Sequence, residues 1–321
     1  MDRLGFIVTG ATGFIGKAVT CRLRADLGDA AEIVELDSKC DLEDAQTTFQ
    51  TFGDLSARMR CDHILHLAAR APSGVWLSQN PADALYSNTL INANMFEASR
   101  RYFPDAKITT TLSYSIYPPS AVACDESQVA LGHPDDNLAA YASSKAAVLT
   151  AQTAYAQQYG LRSASVVLPT VYGFNRRDGE LGQAIPSLCK KFLDGVKNNT
   201  RRIELWGDGY QERDYLYIDD AAGGIVASAL HQTSPLINLG SGHPVSIRGV
   251  ANRIAAITGF KGDIAYDAKR YSGPDRRWLN VEKARAELNW TSATSLDDGL
   301  QMTISKMKEG MENASAEHVS E

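Results

Sequence analysis

The N-terminal segment "LGFIVTGATGFIG" is the feature that most constrains what this chain can fold into. Residues 4–9 form a short apolar run typical of a buried strand, and a helical pattern extends from about residue 14 to about residue 27. Between them stand three glycines: Gly10, Gly13 and Gly16. A strand that passes through spaced glycines directly into a helix is the usual start of a βαβ unit, so the segment predicts an α/β fold with a parallel sheet.

The same alternation continues along the chain. Further strands are predicted at 31–37, 63–69, 107–113 and 163–169, and helices at about 43–59, 81–102 and 139–159. Uninterrupted apolar strands such as "SVVL" suit a sheet that is buried on both faces. We therefore predict a large domain with a doubly wound parallel sheet and a smaller, mixed domain over the edge of the sheet. The predicted division gives 1–171 and a returning segment 212–235 to the large domain, 172–211 and 236–309 to the small one, and 310–321 to a disordered tail.

Composition excludes several classes of protein. The 321 residues carry a net charge of −6, so no basic field indicates a nucleic-acid or membrane partner. The five cysteines are scattered without a C-x-x-C pair, which argues against a metal site and against a disulfide framework. The sequence contains neither a signal-peptide pattern nor an apolar run of spanning length. We expect a cytoplasmic protein without metal.

The glycine segment also predicts a ligand. Glycines at these positions permit a tight turn, a close backbone approach to a pyrophosphate and close helix–strand packing, and the helix N-terminus favours phosphate. The predicted contacts with a dinucleotide are Gly10, Thr12, Gly13, Phe14, Ile15 and Gly16. Asp37 ends the second strand, where an acidic side chain binds a ribose and repels a 2′-phosphate, which favours NAD over NADP. Lys39 argues the other way, so NADP stays possible. Asp41 and Leu42 are expected near the adenine, although Asp41 could equally cap a helix.

The segment "YASSK" supplies candidate catalytic groups. Tyr141 and Lys145 are four residues apart and share one face of the predicted helix 139–159, so we expect the Lys145 ammonium to lower the pKa of the Tyr141 phenol. Ser113 stands at the carboxyl end of a predicted central strand, where open α/β sheets bind ligands. Its hydroxyl could hold the substrate oxygen that Tyr141 protonates or deprotonates.

Together these residues resemble a known family. The segments "GATGFIG", "HLAA", "YASSK" and "RDYLYIDD", together with Ser113, resemble the extended short-chain dehydrogenases/reductases, the NAD-dependent epimerases and dehydratases of nucleotide sugars. Within that family, "SIYPPS", "IPSLCKKF" and "WGDGYQERDYLYIDD" look most like the GDP-fucose synthases. The resemblance implies a Rossmann-type doubly wound parallel sheet with a smaller C-terminal substrate-binding domain. It also implies catalysis by Ser113, Tyr141 and Lys145, hydride exchange at C4 of a nucleotide-activated sugar, and a homodimer built on two long helices per subunit. Further expected cofactor contacts are Leu67, Ala68, Ala69, Asn88 and Pro169.

Two departures from the family pattern limit the chemistry. GDP-fucose synthases carry a cysteine and a histidine that invert C3 and C5, and this chain has Ser115 and Gln183 at those positions; neither side chain is a useful acid or base unaided. The 4,6-dehydratases place an Asp–Glu pair after their active hydroxyl, and here Tyr114 and Ser115 follow Ser113. Hydride chemistry at C4 is therefore what remains.

Three functions stay open at this point. The leading prediction is an NAD-dependent 4-epimerase of a nucleotide-activated hexose, which the acidic Asp37 favours. The first alternative is an NAD(P)H-dependent 4-ketoreductase of a 4-keto-6-deoxyhexose, which the likeness to GDP-fucose synthases favours. The second alternative is a non-catalytic NAD-binding sensor. Predicted substrate contacts are Ser115, Gln183, Trp206, Arg213 and Arg276, of which the two arginines could bind a diphosphate by paired hydrogen bonds.

Overall fold

A six-stranded parallel sheet forms the centre of the molecule. The computed structural model describes residues 3–130, 138–174, 184–268 and 276–317. The sheet has the spatial order β10-β6-β4-β3-β1-β2, and every pair of neighbouring strands in it is parallel. Its strands are β1 (Leu4–Thr9), β2 (Ala31–Leu36), β3 (His63–His66), β4 (Lys107–Ser113), β6 (Ser163–Leu168) and β10 (Leu236–Asn238). The predicted Rossmann-type class is confirmed.

Helices cover both faces of this sheet. One face packs against α2 (Ala45–Ser56), α4 (Pro81–Tyr102) and α5 (Ala139–Tyr159), and the other against α1 (Phe14–Leu27) and α7 (Ile218–His231). In β1 the buried side chains alternate between the two cores: Ile7 joins the first, whereas Phe6 and Val8 join the second. Burial on both faces explains the uninterrupted apolar runs at residues 6–8 of β1 and 166–168 of β6.

The strand order places a ligand crevice beside β1. From β1 the chain crosses to β2 on one side and then to β3 on the other, so the connections leave the sheet in opposite directions. At such a switch point the loops after the strands diverge and leave an opening at their carboxyl ends. The loops that begin at Gly10 and at Leu67 border this opening.

A smaller region contains two further sheets. One has the order β11-β9-β13-β5 with β7 paired to β9, and the other pairs β8 with β12. The strands are β5 (Ala123–Cys124), β7 (Thr170–Tyr172), β8 (Arg202–Trp206), β9 (Glu212–Tyr217), β11 (Pro244–Ser246), β12 (Asp263–Asp267) and β13 (Arg276–Leu279). The remaining helices are α3 (Gly74–Gln79), α6 (Ala184–Lys197), α8 (Ile247–Thr258), α9 (Glu282–Leu288) and α10 (Leu296–Glu317).

This topology differs from the predicted division in two places. Residues 212–217 form β9, which pairs within the smaller sheet and not in the central one, although α7 directly after it packs on the central sheet. Residues 236–238 form β10, the edge strand of the central sheet, although they were assigned to the small domain. Both strands are short, and the sequence of a short strand does not say which sheet it joins.

The C-terminal helix extends beyond its predicted end. Helix α10 runs to Glu317, so it enters the segment 310–321 that was predicted to be a disordered tail. The residues there include Met, Glu and Ala, which favour a helix even where the segment is polar. Among the described residues, none of the helices is both long and apolar enough to cross a bilayer.

Candidate active site

The glycine turn after β1 is built for close backbone contacts. Gly10 has φ +66°, and a Cβ there would lie 2.8 Å from the Ala68 Cα atom. A Cβ on Gly16 would lie 2.1 Å from the Gly10 carbonyl oxygen, because the first turn of α1 presses on the loop. Gly13 caps α1 without any side-chain hydrogen bond, which leaves the N–H groups of the first helical turn to a ligand.

A single large cleft joins this turn to the predicted catalytic residues. Its volume is about 1620 Å³, whereas pockets for one small molecule usually have about 300–1,000 Å³. The cleft therefore has room for a dinucleotide and a second ligand. The predicted site residues that line it are Gly10, Thr12, Gly13, Phe14, Ile15, Gly16, Leu67, Ala69, Ser113, Tyr141, Lys145, Pro169 and Trp206.

Several predicted residues lie outside this lining. They are Asp37, Asp41, Leu42, Ala68, Asn88, Ser115, Arg213 and Arg276; Gln183 lies outside the described residues. Two parts of the lining were not predicted from the sequence. One is the segment 70–76, which runs from the loop after β3 into the start of α3, and the other consists of Ser187, Leu188 and Lys191 of α6. Segment 70–76 follows β3 at the carboxyl edge of the sheet, where open α/β sheets bind ligands, so its position after a predicted strand could have indicated it.

Tyr141 and Lys145 lie in the first two turns of α5, and both line the cleft. Burial lowers the pKa of the Lys145 ammonium to about 8, and its Nζ donates to the Thr111 carbonyl oxygen at 3.2 Å. Burial also raises the pKa of the Tyr141 phenol to about 12. At neutral pH the phenol is therefore a proton donor. The opposing effect expected of the Lys145 ammonium on this pKa stays a prediction.

Ser113 ends β4 at the wall of the same cleft. Its side-chain oxygen accepts a hydrogen bond from the Ser115 N–H at 3.2 Å and another from the Ser115 hydroxyl at 3.0 Å. The first bond caps the short 3₁₀ turn Tyr114–Ile116, which starts directly after the strand. Ser115 is 2% exposed and lies beneath Ser113, so it is not a wall residue of the cleft.

A buried histidine holds the elements around the site together. The His66 ring contacts Thr9 Oγ1 at 2.9 Å and Asn92 Oδ1 at 3.1 Å, and Asn92 in turn donates to the Ser144 carbonyl of α5. Burial and the nearby Lys145 charge lower the pKa of His66 to about 3, so the ring is neutral. This network links the ends of β1 and β3 to the helix that carries the YASSK segment.

Asn88 supports the cleft from behind and does not line it. Its side chain is 1% exposed, accepts from the Arg70 N–H at 3.0 Å and donates to the Arg70 carbonyl at 3.1 Å. The amide thus fixes the backbone at the start of segment 70–76. The family resemblance implies a cofactor contact by this residue, but the protein itself uses both ends of the side-chain amide.

Asp37 and Asp41 both bind backbone near the end of β2. Asp37 Oδ1 accepts from the Lys39 N–H at 2.9 Å, and Asp41 Oδ1 accepts from the Glu43 N–H at 3.0 Å. Asp37 is half-buried beyond the carboxyl end of β2, the strand next to β1, and Lys39 is exposed. Leu42 is buried, and its carbonyl accepts from Asn94.

The other predicted substrate contacts differ in their placement. Trp206 lines the cleft and is 56% exposed, so it is not a residue of the core. Arg276 forms an ion pair with Glu212 at 2.5 Å, so its guanidinium is engaged by the protein itself. Arg213 donates to the Glu212 carbonyl at 2.9 Å. Neither guanidinium lines the cleft.

Comparison with known proteins identifies the family. The sequence profile described as "NAD dependent epimerase/dehydratase family" matches residues 6–240, which is more than half of the chain. This chain belongs to that family. The resemblance read from the sequence is thereby confirmed, as is a nicotinamide dinucleotide of the NAD(P) type as the cofactor. The GDP-L-fucose synthase of Escherichia coli is 28% identical over 315 residues, covering 94% of this chain and 96% of that protein.

Two further matches are a sequence relative and a solved structure. The UDP-glucuronate 4-epimerase of Thermodesulfobacterium geofontis is 29% identical over 328 residues, covering 96% of this chain and 97% of that protein. The crystal structure of a GDP-6-OMe-4-keto-L-xylo-heptose reductase from C. jejuni superposes with a TM-score of 0.85 at 20% identity, covering 96% of this chain and 99% of the other. At that identity the structural match shows the shared fold.

The residues present fit the cofactor of the family. Gly10 and Gly16 leave no room for a side chain. Gly13 lines the cleft where α1 begins. A pyrophosphate held there would accept from the uncapped N–H groups of α1. The groups that would hold the rest of the dinucleotide are Leu67, Ala69, Tyr141, Lys145 and Pro169, which line the remainder of the cleft.

Proposed function

We propose that the protein reduces the C4 carbonyl of a nucleotide-activated 4-ketohexose. The observation that carries the proposal is that the hydroxyls of Ser113 and Tyr141 border one cleft with the glycine turn, and that Tyr141 is protonated at neutral pH. Two hydroxyl donors beside a dinucleotide site suit a ligand oxygen that accepts hydrogen bonds, as a ketone does. The nucleotide sugar as substrate class is supported by what the relatives are named for.

Each side chain has a separate task in this reaction. The nicotinamide, when bound, supplies the hydride to the carbonyl carbon. Tyr141 donates its phenolic proton to the carbonyl oxygen, which becomes the C4 hydroxyl of the product. Lys145 lies one helical turn after Tyr141, and its ammonium stabilises the phenolate that the transfer leaves behind. Ser113 donates a hydrogen bond to the oxygen while negative charge develops on it.

Inversion at C3 or C5 has no support among the described residues. Ser115 stands where GDP-fucose synthases carry a cysteine, and its hydroxyl is buried and bonded to Ser113. The Tyr114 hydroxyl, the next candidate, is hydrogen-bonded to Thr170 Oγ1 at 3.2 Å. Neither group is placed as a free acid or base on the cleft wall, so the proposal is restricted to C4.

A 4-epimerase is the second candidate, and Asp37 favours it. The carboxylate lies at the end of β2, where it suits the ribose of NAD, and an epimerase retains NAD⁺ through oxidation and re-reduction of one carbon. Ser113, Tyr141 and Lys145 serve that cycle equally well. Reduction is preferred because the resemblance to the GDP-fucose synthases, which favours a 4-ketoreductase, extends over almost the whole chain.

A substrate panel distinguishes the two candidates. The purified protein is incubated with NADPH or NADH and with 4-keto-6-deoxyhexoses linked to GDP, UDP or dTDP, and loss of nicotinamide absorbance is followed together with the product. We expect stoichiometric oxidation of the reduced cofactor by at least one ketosugar. Release of NAD⁺ from the denatured protein, with interconversion of 4-hydroxy sugars and no added cofactor, would establish the epimerase instead. Inactivity in both assays would refute both candidates.

Cofactor preference should depend on Asp37. Replacing Asp37 with Asn removes the charge that repels a 2′-phosphate but keeps an oxygen for the Lys39 N–H, so the ratio of kcat/KM for NADPH over NADH should rise about tenfold. Asp41→Asn is the matched control. Asp41 lies four residues after Asp37 and also accepts a hydrogen bond from the N–H two residues further on, so its replacement removes the same charge nearby. An equal shift in both variants would show a general charge effect and refute the assignment.

We also propose a homodimer, as the family resemblance implies. Helices α4 and α5 pack side by side, and α4 exposes two neighbouring apolar side chains, Leu85 at 42% and Tyr86 at 66%. Adjacent exposed apolar residues on a long helix suit contact with a second subunit. A solution mass equal to one chain at micromolar concentration would contradict the proposal.

A further inference from the structure

Ser113 receives two hydrogen bonds from one neighbour. The bond from the Ser115 N–H measures 3.2 Å between N and Oγ, and the bond from the Ser115 hydroxyl measures 3.0 Å between the two oxygens. The backbone bond is fixed by the 3₁₀ turn, which places residue 115 back over the end of β4. The side-chain bond depends on the identity of residue 115, because only a side chain with a donor can form it.

These two bonds determine what Ser113 can offer a ligand. A serine hydroxyl has one donor hydrogen and two acceptor lone pairs. Both lone pairs of Ser113 Oγ are directed at Ser115, so its remaining capacity is the single O–H, and the oxygen borders the cleft. A group in this state can donate to a ligand oxygen but cannot accept from a ligand hydroxyl.

We infer that Ser115 is a positioning residue, which holds the Ser113 hydroxyl as a hydrogen-bond donor and thereby makes the site selective for an oxygen that accepts, the C4 carbonyl. The inference rests on the proposed function and deepens it. It gives residue 115 a role in this chain that differs from the direct acid–base role of the cysteine in GDP-fucose synthases. The Ser115 proton is committed to Ser113, and the side chain is 2% exposed, so it does not reach a sugar carbon itself.

A double-mutant cycle tests whether Ser115 acts through Ser113. Ser115→Ala should lower kcat/KM for the ketosugar about tenfold, the size of one neutral hydrogen bond, and leave the dissociation constant of NADPH within about twofold. Ser113→Ala should lower kcat/KM by about 100-fold. Adding Ser115→Ala to Ser113→Ala should have no further effect beyond about twofold, because the hydroxyl to be positioned is absent. Single-turnover measurement with excess enzyme keeps the slow variants within range.

A further loss of about tenfold in the double variant would overturn the inference, since Ser115 would then act independently of Ser113. Ser115→Cys guards against a merely structural effect: it conserves the volume and supplies a weak donor, so its kcat/KM should lie between those of Ser115→Ala and the natural protein. A Cys variant no better than the Ala variant, with an unchanged melting temperature, would also contradict it.

The reaction in D₂O separates this role from acid–base chemistry at the sugar carbons. We expect product without deuterium at C3 and C5, and deuterium at either carbon that disappears in Ser115→Ala would overturn the inference. Failure of the proposed function has a different signature. If the natural protein reduces no 4-ketosugar, the function and the inference fall together, whereas normal turnover with an additive cycle refutes the inference alone.

Discussion

Tyr141→Phe is expected to lower kcat by about three orders of magnitude, within the range of about 10²–10⁴ that a positioned acid contributes. Phenylalanine keeps the ring and its packing in α5 but removes the proton that the C4 oxygen receives. Burial raises the pKa of this phenol to about 12, so the proton is present across the neutral range and its removal cannot be masked by ionisation. The measurement is steady-state reduction of the ketosugar at saturating cofactor.

Tyr159→Phe is the matched control for this prediction. Tyr159 lies at the end of the same helix and is 49% exposed, and it accepts a hydrogen bond from Gln158 at the surface. Its kcat should stay within about twofold of the natural protein. The dissociation constant of NADPH should change little in either variant. Activity of Tyr141→Phe above about one tenth of the natural value would refute the role of the phenol as the proton donor.

The central sheet could be predicted because its signals are local. Each strand is an apolar run between turn residues, and each helix follows at the spacing of a βαβ unit, so the bounds of β1, α1, α4 and α5 agree closely with the observed elements. The position of Ser113 on the cleft followed from the rule that carboxyl ends of parallel strands meet at one edge. These inferences needed only neighbours in sequence.

The features that could not be predicted from the sequence depend on contacts between residues that are far apart in the chain. Asn88 looked like a cofactor contact, but its amide is bonded to the Arg70 backbone across the fold. The upward shift of the Tyr141 pKa comes from burial by the surrounding structure, which the sequence around this residue does not reveal. Strand β9 continues into α7, which packs on the central sheet, yet its hydrogen bonds go to β7, β11 and β13. Pairing choices of this kind are set by the whole structure.

The second prediction with a large expected effect concerns the glycine turn after β1. Gly16→Ala would place a Cβ 2.1 Å from the Gly10 carbonyl oxygen and 2.7 Å from the Ala11 Cα atom, both of them backbone atoms that cannot rotate away. The loop or helix α1 would have to move, at a cost of about 1–3 kcal/mol or more in the free energy of unfolding. Because the N–H groups of α1 form the predicted pyrophosphate site, we expect the affinity for NADPH to fall more than about 100-fold. Thermal unfolding and cofactor titration measure the two effects.

Gly13→Ala separates binding from stability at the same loop. Gly13 has φ −73°, an ordinary value for alanine, and within 4 Å its Cβ would meet only the Gly10 carbonyl oxygen at 3.1 Å. Gly13 lines the cleft where α1 begins, so cofactor affinity should fall, while the melting temperature should fall much less than in Gly16→Ala because the contact is 1.0 Å longer. Gly74→Ala is the control for stability, since a Cβ there meets nothing within 4 Å. If Gly13→Ala bound NADPH normally, the dinucleotide would not approach the backbone at this turn, and the assignment of the glycine loop as the pyrophosphate site would be wrong.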